Sequence, residues 1–179
     1  CRLVILGDLF DLPRVRIGRQ PRNADEAIDA TRTKLSRVFD DHPEFFAALG
    51  RFAAEGWPID LVPGNHDTPI MCPDISSWLS SKLAALASNE NVPGLQIHPW
   101  ILYEPGLFYA EHGHQYHDIN SYPALLTQAT PSAWLEQQTI GAALDDVVMR
   151  FAELADRTTQ VSASPGALAK RILTHPRLA

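Results

Sequence analysis

Three features of the chain predict an α/β fold. Short apolar runs have strand length, amphipathic stretches of helix length alternate with them, and Gly, Asp, Asn or His gathers where the runs end. The first run, Leu3-Val4-Ile5-Leu6, closes at Gly7-Asp8-Leu9-Phe10-Asp11. The second, Ile59-Asp60-Leu61-Val62-Pro63, leads into Gly64-Asn65-His66-Asp67. The third, Leu107-Phe108-Tyr109-Ala110, stops at Glu111-His112-Gly113-His114. In α/β proteins, ligands bind in the crevice beyond the carboxyl ends of the strands. Three strand ends that each deliver oxygen or nitrogen donors therefore predict a site there. Carboxylate, amide oxygen and imidazole together suit a borderline-hard divalent ion such as Mn, Fe, Zn or Co.

The elements between these strings follow in order. Leu12 to Asn23 reads as a loop carrying Arg14, Arg16, Arg19 and Arg22. Ala24 to Phe39 is predicted helical, with Ile28, Leu35, Val38 and Phe39 on its apolar face. Asp41-His42-Pro43-Glu44 has the form of a capping box with Pro early in the helix. The helix it opens should bury Phe45, Phe46, Leu49, Phe52 and Ala53 and stop near Gly56. Asp74 is expected to cap a helix to about Ala87, with Trp78, Leu79, Leu83 and Leu86 facing inward. Leu95 to Tyr103 and Leu107 to Glu111 read as two strands joined by a turn at Glu104-Pro105-Gly106. From Ser121 the pattern becomes almost wholly helical: Pro131 suits a first helical position, Leu144, Val147, Val148, Phe151 and Leu154 form a stripe, and Ser164-Pro165 begins a further short helix.

Composition narrows the function classes. A chain of 179 residues is long enough for one domain with a sizeable core. A net charge of −6 argues against a general nucleic-acid-coating or membrane-surface role. Cys1 and Cys72 are too few for a disulfide framework, which predicts a reducing, cytoplasmic setting. No apolar stretch approaches the ~20 residues that span a bilayer.

Gly7-Asp8-Leu9-Phe10-Asp11, Gly64-Asn65-His66-Asp67 and His112-Gly113, in that order and each after a strand, resemble the calcineurin-like metallophosphoesterase superfamily. The likeness runs from about Leu3 to Tyr116. It implies a β-sandwich flanked by helices in four layers (αββα), incomplete here and followed by a helical C-terminal insert. Residues 1–120 would form the partial metallophosphoesterase core, and residues 121–179 a helical cap or insert of the same domain. The family's opening Asp-x-His and closing Gly-His-x-His strings do not occur, so the chain is expected to be an internal piece of a longer protein.

The resemblance implies hydrolysis of a phosphomonoester, phosphodiester or pyrophosphate by two divalent metal ions, with a metal-held hydroxide as nucleophile. Asp8 matches the carboxylate that bridges the two ions, and Asn65 and His112 match ligands of one of them. His66 matches the family's catalytic, non-ligand histidine, and Asp11 the acid that orients it. Asp67 is expected to support its loop. His114 is expected to contact substrate or to lie behind a ligand. Arg14 and Arg16 are candidates to clamp a substrate phosphate, the alternative being a solvated loop. His42, His98 and His175 read as surface or turn residues.

The expected substrate is a small-molecule or lipid-linked phosphoester, with a faint likeness to the bacterial UDP-diacylglucosamine pyrophosphatase branch. An SbcD-like DNA repair nuclease is the alternative in the same family, and the acidic balance counts against it. A degenerate, non-catalytic scaffold of the same fold is the alternative outside enzymology.

Overall fold

The structure is a computed structural model and describes residues 1–18, 21–87, 94–122, 135 and 139–159. The fold is mixed α/β. Strands β1 (Leu3–Leu6), β2 (Ile59–Val62) and β3 (Leu95–Ile97) form a parallel sheet in the order β1-β2-β3. Helices α1 (Ala24–Asp41) and α2 (Pro43–Ala54) connect β1 to β2, and α3 (Pro73–Ala87) leads from β2 to β3. Strands β4 (Ile101–Glu104) and β5 (Phe108–Glu111) pair antiparallel as a separate hairpin.

Local chemistry accounts for most boundaries. The Asn23 side chain accepts a hydrogen bond from Glu26 N at 2.8 Å, which satisfies a free donor at the start of α1. Asp25 and Glu26 in the first turn suit the positive end of the helix dipole. Helix α2 starts differently from the expected capping box. Its cap residue is His42, no side chain caps it, and Pro43 supplies the first helical position. Gly56, at φ 83, turns the chain after α2. Asp74 lies in the first turn of α3, one residue inside a helix that begins at Pro73.

All four residues of β2 are buried, as befits the central strand of a parallel sheet. Ile59 and Leu61 join the apolar clusters with the helices, where Phe46 stacks on Phe39 at 3.8 Å between ring centroids and on Phe10 at 6.0 Å. The intervening Asp60 is fully buried and paired. Arg2 Nε meets its carboxylate at 2.5 Å and His98 Nε2 at 2.5 Å. The Arg2 hydrogen bond, opposed by burial, holds the Asp60 carboxyl below its ordinary range. His98 is therefore a partner of a buried charge, not the plain surface or turn residue expected.

Three further expectations are corrected. The stretch Leu95 to Tyr103 is two strands: Pro99, which lacks an N–H for a ladder, and Trp100, at φ 73, break it between β3 and β4. Phe45 and Leu86 are 47% and 40% exposed. The inward faces of α2 and α3 are centred on Phe46, Gly50 and Ala53 and on Ile75, Leu79 and Leu83, which leaves those two side chains at the margins.

The chain divides into two compact units, Cys1–Ala142 and Ala143–Ala179. The boundary falls inside α4 (Ile140–Thr159). At the start of α4 the Thr139 hydroxyl accepts from Ala142 N at 3.1 Å, a cap three residues ahead. Leu144, Val147 and Val148 of the expected stripe are exposed. Pro131 and Ser164-Pro165 lie outside the described residues.

Gly50 sits inside α2, where glycine costs up to about 1 kcal/mol relative to alanine. A Cβ there would lie 2.9 Å from the Leu86 backbone, so its absence lets α2 and α3 approach closely. Gly50→Val should lower the free energy of unfolding by about 1–3 kcal/mol in urea titration. Gly18→Ala, whose added Cβ meets nothing, should stay within about 0.5 kcal/mol of wild type.

Candidate metal centre

The loops after β1, β2 and β5 touch, and glycine is what lets them. Gly7 has φ 76, and a Cβ on it would lie 2.6 Å from His112 Cγ and 2.8 Å from Gly64 Cα. A Cβ on Gly64 would lie 2.7 Å from Asp8 N and 2.9 Å from Asp8 Cγ. A side chain at either position would push the three loops apart. Asp8 itself is left-handed at φ 51, one of two non-glycine residues with positive φ among those described.

Asp67 fastens two of these loops together. Its Oδ1 accepts from Gly64 N at 2.6 Å, and its Oδ2 accepts from Leu9 N at 2.9 Å and Phe10 N at 3.4 Å. The expected supporting role is what its contacts describe. Behind the second loop, the Tyr122 hydroxyl donates to Asn65 O at 2.8 Å and lies 2.6 Å from Thr68 Oγ1, while Thr68 Oγ1 donates to Gly64 O at 3.0 Å. Burial pushes the Tyr122 phenol up to about 12, so it stays protonated as a donor.

Within this frame four of the expected residues come together. Asp8 Oδ1 accepts from His66 N at 3.0 Å, and Asp8 Oδ2 lies 3.3 Å from His112 Nε2. Asn65 is 6% exposed, and among the described residues its carboxamide has no hydrogen-bond partner. His66 Nδ1 lies 2.7 Å from Asp11 Oδ1. A carboxylate against Nδ1 selects the tautomer that leaves Nε2 as the reactive nitrogen.

The remaining expected contacts stand elsewhere. Arg14 Nε is 3.2 Å from the other Asp11 oxygen, so Arg14 and His66 share one carboxylate. The Arg16 carbonyl accepts from the Arg37 guanidinium, which ties that loop to α1. Arg22 is paired with Glu26 at 2.8 Å, and Arg19 lies outside the described residues.

His114 is buried at 7% exposure. Its Nδ1 is 3.0 Å from His112 Nδ1, and its Nε2 is 2.6 Å from the Gln115 amide nitrogen. Burial, reinforced by His112, pushes its pKa down to about 4, so the ring is neutral near pH 7. Of the two expected positions, these contacts describe the one behind His112. Gln115, Tyr122 and Trp100 were not identified from the sequence. Each acts through tertiary contacts that no local pattern announces.

The geometry can be compared with that of a metal site. Two ligands on one ion, with bonds of about 2.0–2.2 Å, lie roughly 3.0–3.5 Å apart. The Asp8–His112 separation of 3.3 Å is of that size. His112 turns one ring nitrogen to Asp8 and is hydrogen-bonded through the other, as metal-ligating histidines are. Among the described residues no group of three His, Cys, Asp or Glu side chains could hold an ion. Asp8 and His112 are thus spaced as two ligands of one ion would be, and among the described residues no third such side chain joins them. Comparison of the chain with family models, curated proteins and solved structures finds no match. Among the described residues no helix is long and apolar enough to cross a membrane.

The Asp67 carboxyl gives a pH signature. Burial, with the nearby Asp8 charge, outweighs the three N–H donors and pushes its pKa from 3.8 up to about 6. A folded-state value above the unfolded one means that the stabilising contribution is complete below about pH 4 and is lost as pH rises through 6. The full difference corresponds to about 3 kcal/mol. In EDTA, the stability of wild type relative to Asp67→Asn should fall by about 1–3 kcal/mol between roughly pH 4 and pH 7.5, read by urea titration. A constant difference across that window would show that Asp67 titrates alike in both states.

Proposed function

We propose that this protein is a metal-dependent hydrolase of phosphoester bonds, of the calcineurin-like metallophosphoesterase type, with the four-layer αββα architecture of that type. The observation that carries the reading is the meeting of Asp8, the Asn65 loop, His66 and His112, from three strand ends, with His66 backed by Asp11.

Asp8, Asn65 and His112 would hold one ion, and a second would need ligands beyond the described residues. A bound divalent ion supplies Lewis-acid stabilisation of phosphoryl charge and lowers the pKa of water. The chain's own residues supply the rest. Asn65 is a neutral donor, which limits the negative charge that an anionic substrate meets. Asp11 orients His66, which is then suited to stabilising a phosphoryl oxygen or protonating the leaving oxygen. Arg14 and Arg16 are the proposed contacts for a further phosphate, because guanidinium matches phosphate oxygens in pairs. The acidic net charge favours a small-molecule or lipid-linked ester over a nucleic-acid polymer.

One observation favours a second reading. The lack of a third charged ligand among the described residues suits a non-catalytic scaffold that retains the fold. Hydrolysis of bis-p-nitrophenyl phosphate by the intact gene product with Mn²⁺ separates the two. Wild type should turn over and lose activity in EDTA, Asp8→Asn should be inactive, and His66→Ala should lose about 10²–10⁴-fold in kcat. Activity that survives Asp8→Asn rejects the metal reading. No turnover with any of Mn, Co, Zn or Mg supports the scaffold.

A further inference from the structure

We infer that Tyr122 is a positioning residue for the site: its hydroxyl sets the plane of the Asn65–His66 peptide and, through that peptide, the hold of His66 N on Asp8. The role in turnover rests on the phosphoesterase reading above.

One peptide unit is held from both sides. The carbonyl of Asn65 and the N–H of His66 belong to a single planar group, and the trans arrangement points them in opposite directions. Tyr122 Oη donates to the carbonyl at 2.8 Å, and the N–H donates to Asp8 Oδ1 at 3.0 Å. A planar unit bonded at both poles cannot turn without breaking one of the two bonds. Its flanking torsions, ψ of Asn65 and φ of His66, set the directions in which both side chains leave the backbone. The Asn65 carboxamide and the His66 ring, which meets Asp11 at 2.7 Å, are therefore aimed by contacts to the peptide between them.

The two bonds also reinforce each other. A carbonyl that accepts a hydrogen bond makes its own N–H a better donor, and this cooperativity is stronger away from water. Tyr122 is 5% exposed, so its hydroxyl acts in such surroundings. Three further contacts fix the residue itself. Its N–H donates to Gln115 Oε1 at 3.4 Å, its ring stands edge-on to His114 at 5.8 Å, and its hydroxyl lies 2.6 Å from Thr68 Oγ1. Tyr122 thus joins the segment after β5 to the loop after β2. Without its hydroxyl, Thr68 Oγ1 still serves the Gly64 carbonyl at 3.0 Å, and the Asn65 carbonyl is the group that loses its donor.

NMR of the intact gene product in EDTA, together with its turnover of bis-p-nitrophenyl phosphate with Mn²⁺, tests the inference. Tyr122→Phe keeps the ring against His114 and removes the hydroxyl. It should move the Asn65 carbonyl ¹³C and His66 amide ¹H signals upfield. It should also lower kcat by about 10–100-fold and leave KM within about twofold of wild type, with circular dichroism confirming the fold. A 3-fluorotyrosine placed at Tyr122 is a stronger donor of nearly the same shape. It should move both signals the other way, and it decides the matter if Tyr122→Phe does not fold. A His66 amide signal unmoved in a folded variant overturns the inference alone. So does a folded Tyr122→Phe with the kcat of wild type, because Tyr122 would then supply ring packing only. Wild type that turns over nothing with any of Mn, Co, Zn or Mg overturns the phosphoesterase reading and this role with it, whatever the spectra show.

Discussion

The Asp67 carboxyl is the constraint on which the rest of the site depends. It accepts one backbone N–H from its own loop, at Gly64, and two from the loop after β1, at Leu9 and Phe10. These donors point away from any ladder, and buried donors without partners are costly. One side chain therefore answers for three backbone groups in two loops. The parallel register brings the strand ends to one level, with Leu6 opposite Val62, and Asp67 fixes the loops that leave them. Gly64 and the His66 N–H are thereby set against Asp8.

The same clasp concentrates negative charge. Asp67 is buried close enough to Asp8 to feel its charge, and Asp8 is partly exposed. The Asp8 charge adds to burial in disfavouring the ionised form of Asp67. Asp8 in turn accepts from His66 N and lies beside the His112 ring.

What was legible in the sequence was local. The ends of β1 and β2, the span of α1 and the stop at Gly56 follow from apolar period, caps and turn residues over short windows. The candidate residues were legible for the same reason, since each lies in a compact string after a strand. Misreadings arose where three-dimensional packing decides. Apolar alternation runs through Leu95 to Tyr103 without showing that it breaks at Pro99 and Trp100 and that its two halves belong to different sheets. Helical period marks an apolar face and not its centre, so Phe45 and Leu86 were counted inside. His98 looked like a turn residue because its buried partner, Asp60, lies on another strand. Tyr122 carries no motif at all, yet its hydroxyl holds the Asn65 carbonyl from 57 residues away.

Backbone strain marks where these long-range contacts converge. The two non-glycine residues with positive φ among those described, Asp8 and Trp100, sit at opposite ends of one chain of rings. Asp8 faces His112, His112 faces His114, and His114 lies against Trp100. Non-glycine residues in sparsely populated conformations cost of order 1–3 kcal/mol each and persist only where their surroundings over-determine them. Here each is held by contacts from elsewhere in the chain: Asp8 by the His66 N–H, the His112 ring and the close approach of Gly64, Trp100 by the ring of His114.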